Sequence, residues 1–276
     1  MLKLIKIYYT ILSFISPKLA ANSAFKIFQK VRKKDIRKRE QPFYDQAKHY
    51  KLKYDKEDID CYEFGTEHKD LVVLVHGWDS NSGCMLGFID KLVANNKRVI
   101  AFNLPAHAFY KSNKTNYFEC KNAFKLVVNK LPKHDSLSFI SHSFGSGIVA
   151  FGLSEMDIKV DKLVFMTSPN YVVDIFTDFK KMIGLGDKAF ELMNKKASNL
   201  LNEDVKKVAT EQKLSLADFN DLLLIHDKKD KVIPFQNSVN INKAIPNSKI
   251  ESFESIGHYR MLWHDDVIRL AVDFVG

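Results

Sequence analysis

From about residue 57 onward, short runs of β-branched and apolar residues alternate with longer segments of helical periodicity. This rhythm constrains the fold more than any other feature of the chain. Residues 59–64 read as an early strand. Residues 71–76 (LVVLVH) form a continuous apolar run, the pattern of a strand whose sheet is covered on both faces. A helix is predicted over 85–94, a strand over 98–102, a helix over 118–130, a strand over 136–141 and a helix over 144–153. Residues 162–166 give a further strand. Repeated strand–helix units predict an α/β fold with a mostly parallel central sheet flanked by helices.

The rhythm breaks between residues 170 and 218. Phe176, Phe179, Ile183, Phe190 and Met193 recur there at helical spacing, and no strand intervenes. Strands resume at 222–226 and 249–253, and a helix over 265–274 ends the pattern. A helical insertion at this point predicts a cap over the carboxyl edge of the sheet, where ligands bind in such folds. Packing inside the cap accounts for the aromatic stripe. The expected organisation is a basic, helical N-terminal segment over 1–56 and one α/β domain over 57–276, with the cap at about 170–218.

Charge is distributed unevenly. Residues 1–56 carry fifteen Lys and Arg against four Asp and Glu, a balance of +11 in a chain of net +9. The rest is slightly acidic at −2, which argues against a nucleic-acid binder. The three cysteines, Cys61, Cys84 and Cys120, are odd in number and widely spaced. They suggest neither a zinc site nor a disulfide framework, and they favour a reducing, cytoplasmic setting.

The N-terminus leaves alternatives open. The uncharged run 7–17 is too short to span a bilayer. A basic start followed by Ala20, Ala21, Ser23 and Ala24 is compatible with a cleaved signal peptide and a secreted form. The other readings are a helix packed on the domain, an amphipathic helix lying on an acidic membrane surface, or a solvated helical face. The run KVRKKDIRKRE at 30–40 would favour anionic headgroups, so peripheral membrane contact through residues 1–40 is one expectation.

Four motifs carry chemistry. Ser141-His142-Ser143-Phe144-Gly145 falls between a strand and a helix. A nucleophile elbow needs a tight turn there, so that the serine oxygen projects above the sheet, and Gly145 lets the helix approach closely. After the 222–226 strand comes HDKKDKVIP, which offers two carboxylates, Asp227 and Asp230, to orient an imidazole. Gly257-His258 follows the next strand. The order Ser…Asp…His, at the ends of successive late strands, is that of a hydrolase triad. The fourth motif is His76-Gly77-Trp78. Its loop is placed to give one oxyanion-hole N–H, from Trp78, with the other from Phe144. His76 reads as a structural hydrogen-bonding residue.

The pieces VLVHGW at 73–78, FNLPAHA at 102–108, SHSFGSG at 141–147, HDKKDKVIPF at 226–235 and GHYRMLW at 257–263 together resemble the α/β-hydrolase superfamily. The likeness is to its small bacterial esterase- or lysophospholipase-like serine hydrolases, and it covers about residues 57–276. It implies an α/β-hydrolase fold with Ser143 as nucleophile, His258 as base and Asp230 as acid, Asp227 being held in reserve. It further implies cleavage of a small-molecule acyl ester without metal or cofactor. A thioesterase, amidase or peptidase with the same triad is the alternative, as is a non-catalytic membrane-associated protein on a hydrolase scaffold. Two departures stand out. Ser141 replaces the first glycine of the elbow. Asn103-Leu104-Pro105-Ala106-His107-Ala108 replaces a pattern that often reads Asp-x-Pro-Gly-His-Gly.

Overall fold

A computed structural model describes residues 2–32, 35–55 and 57–276. Lys33 and Lys34 of the basic run, and Lys56 at the expected domain boundary, lie outside the described residues. The chain opens with helices α1 (Leu2–Ile15), α2 (Pro17–Phe28) and the short α3 (Gln41–Gln46). Ser16 starts α2: its hydroxyl accepts the Leu19 N–H at 3.4 Å, and Pro17 occupies the first turn, where a missing N–H costs nothing. Strands β1 (Lys48–Leu52), β2 (Ile59–Phe64) and β3 (Asp70–Val75) follow. Next come α4 (Leu86–Ala94), β4 (Lys97–Phe102), α5 (Tyr117–Asn129), β5 (Ser136–His142), α6 (Phe144–Leu153) and β6 (Lys159–Met166). The insertion holds α7 (Val172–Ile183), α8 (Asp187–Leu201) and α9 (Thr210–Leu214). The chain ends with β7 (Asp218–Asp227), α10 (Gln236–Ala244), β8 (Ser248–Phe253) and α11 (Asp265–Val275).

The strands form one eight-stranded sheet in the order β1-β2-β4-β3-β5-β6-β7-β8. β1–β2 and β2–β4 are antiparallel, and every pairing from β4 across to β8 is parallel. Side chains alternate between faces along each strand. Leu71, Val73 and Val75 of β3 therefore pack with Phe124 of α5 and Ile148 of α6. Val72 and Leu74 point the other way, to Phe88 of α4 and Val267 and Ile268 of α11. Both faces are covered, which is why β3 carries an unbroken apolar run. Each of these fully buried side chains contributes roughly 1.5–3 kcal/mol relative to exposure.

A third apolar cluster lies outside the two sheet faces. Tyr9, Ala20, Ala24 and Phe25 of α1 and α2 pack on Phe176, Ile183, Met193 and Ala197 of the insertion. The insertion and the N-terminal helices thus complete each other's cores. Two elements differ from the sequence expectations. β1 comes from the segment expected to be helical, and it extends the sheet at its edge. α10 occupies residues assigned no element. All three cysteines are free and buried. Among the described residues, no helix is long and apolar enough to cross a membrane.

Candidate active site

The parallel strands deliver their carboxyl ends to one edge of the sheet, and the motif residues collect there. β5 ends at His142 and α6 begins at Phe144. The single residue between them, Ser143, takes φ 52° and ψ −121°. A left-handed conformation at a non-glycine residue costs on the order of 1–3 kcal/mol and persists only where its surroundings hold it. Here the Ser143 N–H donates to the Met166 carbonyl at 2.8 Å, and its own carbonyl accepts from Ser146 N–H at 2.9 Å. The helix start is pressed onto the end of β3. A Cβ on Gly145 would lie 2.5 Å from the His76 carbonyl oxygen, so only glycine fits. Gly77 is similarly confined: a Cβ there would meet His142 Nδ1 at 3.0 Å.

Ser141, the departure from the usual glycine, is fully buried. Its Oγ lies 3.0 Å from Ser146 Oγ and 3.3 Å from the Val164 carbonyl oxygen. The extra hydroxyl is therefore satisfied, and the elbow accommodates it.

His258 comes from the loop between β8 and α11. Its Nε2 lies 3.0 Å from Ser143 Oγ, and its Nδ1 lies 2.7 Å from Asp230 Oδ2. The carboxylate places the proton on Nδ1, leaving the Nε2 lone pair to accept the serine hydroxyl. The Asp230 side chain is fully buried. Its Oδ1 accepts the N–H groups of Val232 at 2.7 Å and Ile233 at 3.1 Å. Burial opposes its ionisation, but the hydrogen bond and charge of His258, together with those two amides, outweigh it. The carboxyl is held below its ordinary range.

Asp227 has a different environment. It is buried and accepts N–H groups from Lys229 at 2.7 Å, Ser255 at 3.1 Å and Gly257. Burial again opposes ionisation and the amides win, so its carboxyl is also held low. Asp227 thus ties the β7 loop to the segment leading into His258, and no hydrogen bond joins it to the imidazole ring. Of the two carboxylates, the structure brings Asp230 to His258.

His142 and His226 complete the surroundings. His142 Nε2–H donates to the His258 carbonyl at 2.9 Å, and the two ring centroids are 4.8 Å apart. Burial pushes the His142 pKa down to about 3. His226 Nε2–H donates to the Ile233 carbonyl at 3.0 Å, and its Nδ1 accepts from Ser238 Oγ at 2.7 Å. Burial lowers its pKa as well.

The β3 loop closes the other side. His76 Nδ1–H donates to the Gly77 carbonyl at 2.8 Å, and its Nε2 accepts the Leu104 N–H at 3.0 Å. His107 Nδ1–H donates to the Pro105 carbonyl at 2.9 Å, and its Nε2 accepts the Asp79 N–H at 3.3 Å. These bonds pin the 76–79 loop against the 103–108 loop. The Trp78 ring packs edge-to-face on Phe144 at 5.1 Å, and Tyr117 packs on Phe144 at 5.3 Å. As the first residue of α6, Phe144 has no carbonyl within its own helix for its N–H to reach.

Ser143, His258 and Asp230 are brought together, while Asp227 and the 76–78 loop lie beside them. His142 and His107 fall inside two of the motifs, but the sequence marks no role for either, because both bond to backbone carbonyls and amides that only the fold brings near. Among the described residues, no group of three or more His, Cys, Asp or Glu is placed to hold a metal ion.

No protein-family model matches the chain. A serine hydrolase-like protein of Danio rerio is 24% identical over 157 residues, covering 54% of this chain and 45% of that protein. A 2-hydroxymuconate semialdehyde hydrolase of Pseudomonas putida is 33% identical over 58 residues, 21% of each. The chain therefore spans less than half the length of these curated relatives. Solved structures agree over much more of the chain. The esterase Pf2001 of Pyrococcus furiosus superposes with a TM-score of 0.68 at 16% identity, covering 89% of this chain and 98% of that one. A bromoperoxidase of Bacillus anthracis gives 0.60 at 20% identity, with coverages of 82% and 99%. The mouse α/β-hydrolase domain-containing protein 10 gives 0.63 at 12% identity, with coverages of 83% and 97%. The chain has the α/β-hydrolase fold.

Proposed function

We propose that this α/β-hydrolase-fold protein is a serine hydrolase that cleaves a carboxylic ester with an apolar or lipid-like acyl group. One observation carries the reading: Ser143 Oγ, His258 and Asp230 form a continuous hydrogen-bonded chain of 3.0 Å and 2.7 Å, with the serine on a strained turn. The rings of Trp78, Tyr117 and Phe144 around that turn suit an apolar acyl group.

In the proposed reaction, Ser143 Oγ attacks the acyl carbon as its proton passes to His258 Nε2. Asp230 stabilises the imidazolium and holds the ring in place. The N–H groups of Trp78 and Phe144 receive the oxyanion. The tetrahedral intermediate collapses, the leaving alcohol takes the proton from Nε2, and the acyl group remains on Ser143. Water, deprotonated by His258, then attacks the acyl-enzyme and releases the acid. The insertion of α7–α9, which follows β6 directly, serves as the cap that shapes acyl specificity.

The test is turnover of a p-nitrophenyl ester series from short to medium acyl chains, together with labelling by a fluorophosphonate. Ser143→Ala is expected to abolish labelling and to lower kcat by roughly 10⁴–10⁶-fold. Turnover that survives Ser143→Ala, or no turnover across the series, would reject the reading.

A further inference from the structure

α1 has two apolar faces, and only one of them is used. Ile5, Tyr9 and Leu12 turn inward against α2 and the insertion. Polar contacts fix the rotation of the helix. Tyr9 Oη lies 2.8 Å from Ser23 Oγ, Gly186 N–H donates to Ser13 Oγ at 3.0 Å, and Thr10 Oγ1 donates to the Gly184 carbonyl at 3.3 Å. The opposite face carries Leu4, Ile7, Tyr8, Ile11, Phe14 and Ile15 at spacings of three and four residues. All six are more than half exposed, and Phe14 reaches 91%. Leu19 of α2, 60% exposed, continues the stripe. A folded amphipathic helix ordinarily hides its apolar face and shows a polar one. A second contiguous apolar face left in solvent marks an interaction surface.

Charge identifies the partner. The first acidic residue of the chain is Asp35; before it stand eight Lys and Arg. Among the described residues, Lys3, Lys6, Lys18, Lys26 and Lys30 form no salt bridge. Helical spacing sets Lys3 beside Ile7 on the flank of the stripe. A second copy of the chain, paired face to face, would set the same lysines against one another with no carboxylate between them. An anionic lipid surface offers both an apolar interior for the stripe and phosphate oxygens for the lysines. α1 has 14 residues, about 21 Å at 1.5 Å per residue. That is too short to cross a hydrocarbon core of about 30 Å, so the helix would lie in the surface plane.

We propose that α1 and the first turn of α2 dock this protein on an anionic lipid surface. The docked segment leads directly to the candidate site. Beyond α2, Val31 N–H donates to the Asn113 carbonyl at 2.9 Å, and Arg32 pairs with Asp79 at 3.2 Å. Asp79 is the residue after Trp78. Docking does not depend on hydrolysis, and Ser143→Ala protein is expected to bind as the unaltered protein does.

The test is co-sedimentation of the full chain with vesicles of phosphatidylcholine alone, or of phosphatidylcholine mixed with phosphatidylglycerol. Binding to the mixed vesicles should exceed binding to neutral ones by at least about tenfold, since each basic residue near the surface adds to the attraction. It should fall several-fold between ~0.1 M and ~1 M salt as the Debye length shrinks. Ile11→Asp combined with Phe14→Asp should lose binding to both kinds of vesicle. Lys3→Gln with Lys6→Gln and Lys18→Gln should lose only the preference for anionic lipid. Circular dichroism and fluorophosphonate labelling show that each variant remains folded. Equal, salt-insensitive binding to neutral vesicles would overturn the proposal, as would no binding. A dimer that Ile11→Asp with Phe14→Asp dissolves, in protein that ignores vesicles, would overturn it in favour of a second copy.

Discussion

Asp227 and Asp230 occupy one loop, are both buried and both titrate low, yet their partners assign them different roles. Asp230 faces an imidazole, and Asp227 faces three backbone amides. Asp230→Asn leaves an oxygen for the Val232 and Ile233 amides but presents an N–H₂ to His258 Nδ1, which favours the wrong tautomer. It is expected to lower kcat by about 10³–10⁴-fold, whatever it costs in urea midpoint through its own charge-assisted bonds. Asp227→Asn removes the charge from several hydrogen bonds, each worth about 1.5–3 kcal/mol when charge-assisted. It should lower the urea midpoint clearly while leaving much of kcat. Measured on one pair of samples, the reverse pattern would exchange their roles. Sequence alone offered both acids, and only the likeness of HDKKDKVIPF at 226–235 to the superfamily ranked Asp230 first. His142 was illegible for a different reason. Its hydrogen bond goes to the carbonyl of a residue 116 positions away, and such a contact exists only once the sheet has brought β5 beside the β8 loop.

Elements buried on both faces were legible, and the two edge strands split: β8 falls where a strand was expected at 249–253, and β1 does not. β3 carries an unbroken apolar run, β5 (SLSFISH) and β6 (KVDKLVFM) set apolar residues among small or flanking polar ones, and the structure places all three within three residues of the expected ends. β1 is an edge strand, KHYKL, with a largely exposed pattern, so its sequence carries lysines where a central strand would carry valines. α10, QNSVNINKA, buries only Ile241 among its apolar side chains and offers too few apolar positions to mark a helical face. The 103–108 loop tests the local reading of a departure. Ala106 and Ala108, standing where the resemblance has glycine, adopt φ of 66° and 49°. Both are buried. Relief of a left-handed alanine is worth about 1–2 kcal/mol. Glycine's extra unfolded-state freedom costs about 0.4–1 kcal/mol, and the lost methyl about 0.8 kcal/mol. Ala106→Gly and Ala108→Gly should therefore each fall within about 0.5 kcal/mol of neutral by urea unfolding. A loss above about 1.5 kcal/mol, the sum expected at an unstrained buried site, would show that the alanines carry no backbone strain.

At the scale of the whole molecule, the carboxyl edge of the sheet is built on histidines that fold neutral. His76, His142 and His226 all have lowered pKa values, with burial the leading cause in each. The bonding agrees. His76 Nε2 already accepts an N–H, and His142 Nδ1 has no partner, so a second ring proton would have no acceptor at either site. In the unfolded chain each imidazole titrates near ~6.5. Below that pH the unfolded state binds protons that the folded state refuses, so stability falls as pH falls. The loss is up to about 1.4 kcal/mol per pH unit for each histidine, and for His142 it continues down to the folded value of about 3. The lowered carboxyls of Asp227 and Asp230 act in a separate window. Their contribution is complete above an unfolded pKa of about 3.9 and disappears only as pH falls below it. Loss of stability between pH 6.5 and 5 therefore belongs to the histidines. His76 and His142 together could remove up to about 3 kcal/mol per pH unit, with a further part from His226, against total stabilities of about 5–15 kcal/mol. The urea midpoint should drop steeply over that interval, and His142→Gln, which keeps a donor for the His258 carbonyl, should clearly reduce the slope. A midpoint that stays level from pH 6.5 to 5 would mean that these rings take up protons without cost, and the neutral framework behind His258 would have to be abandoned.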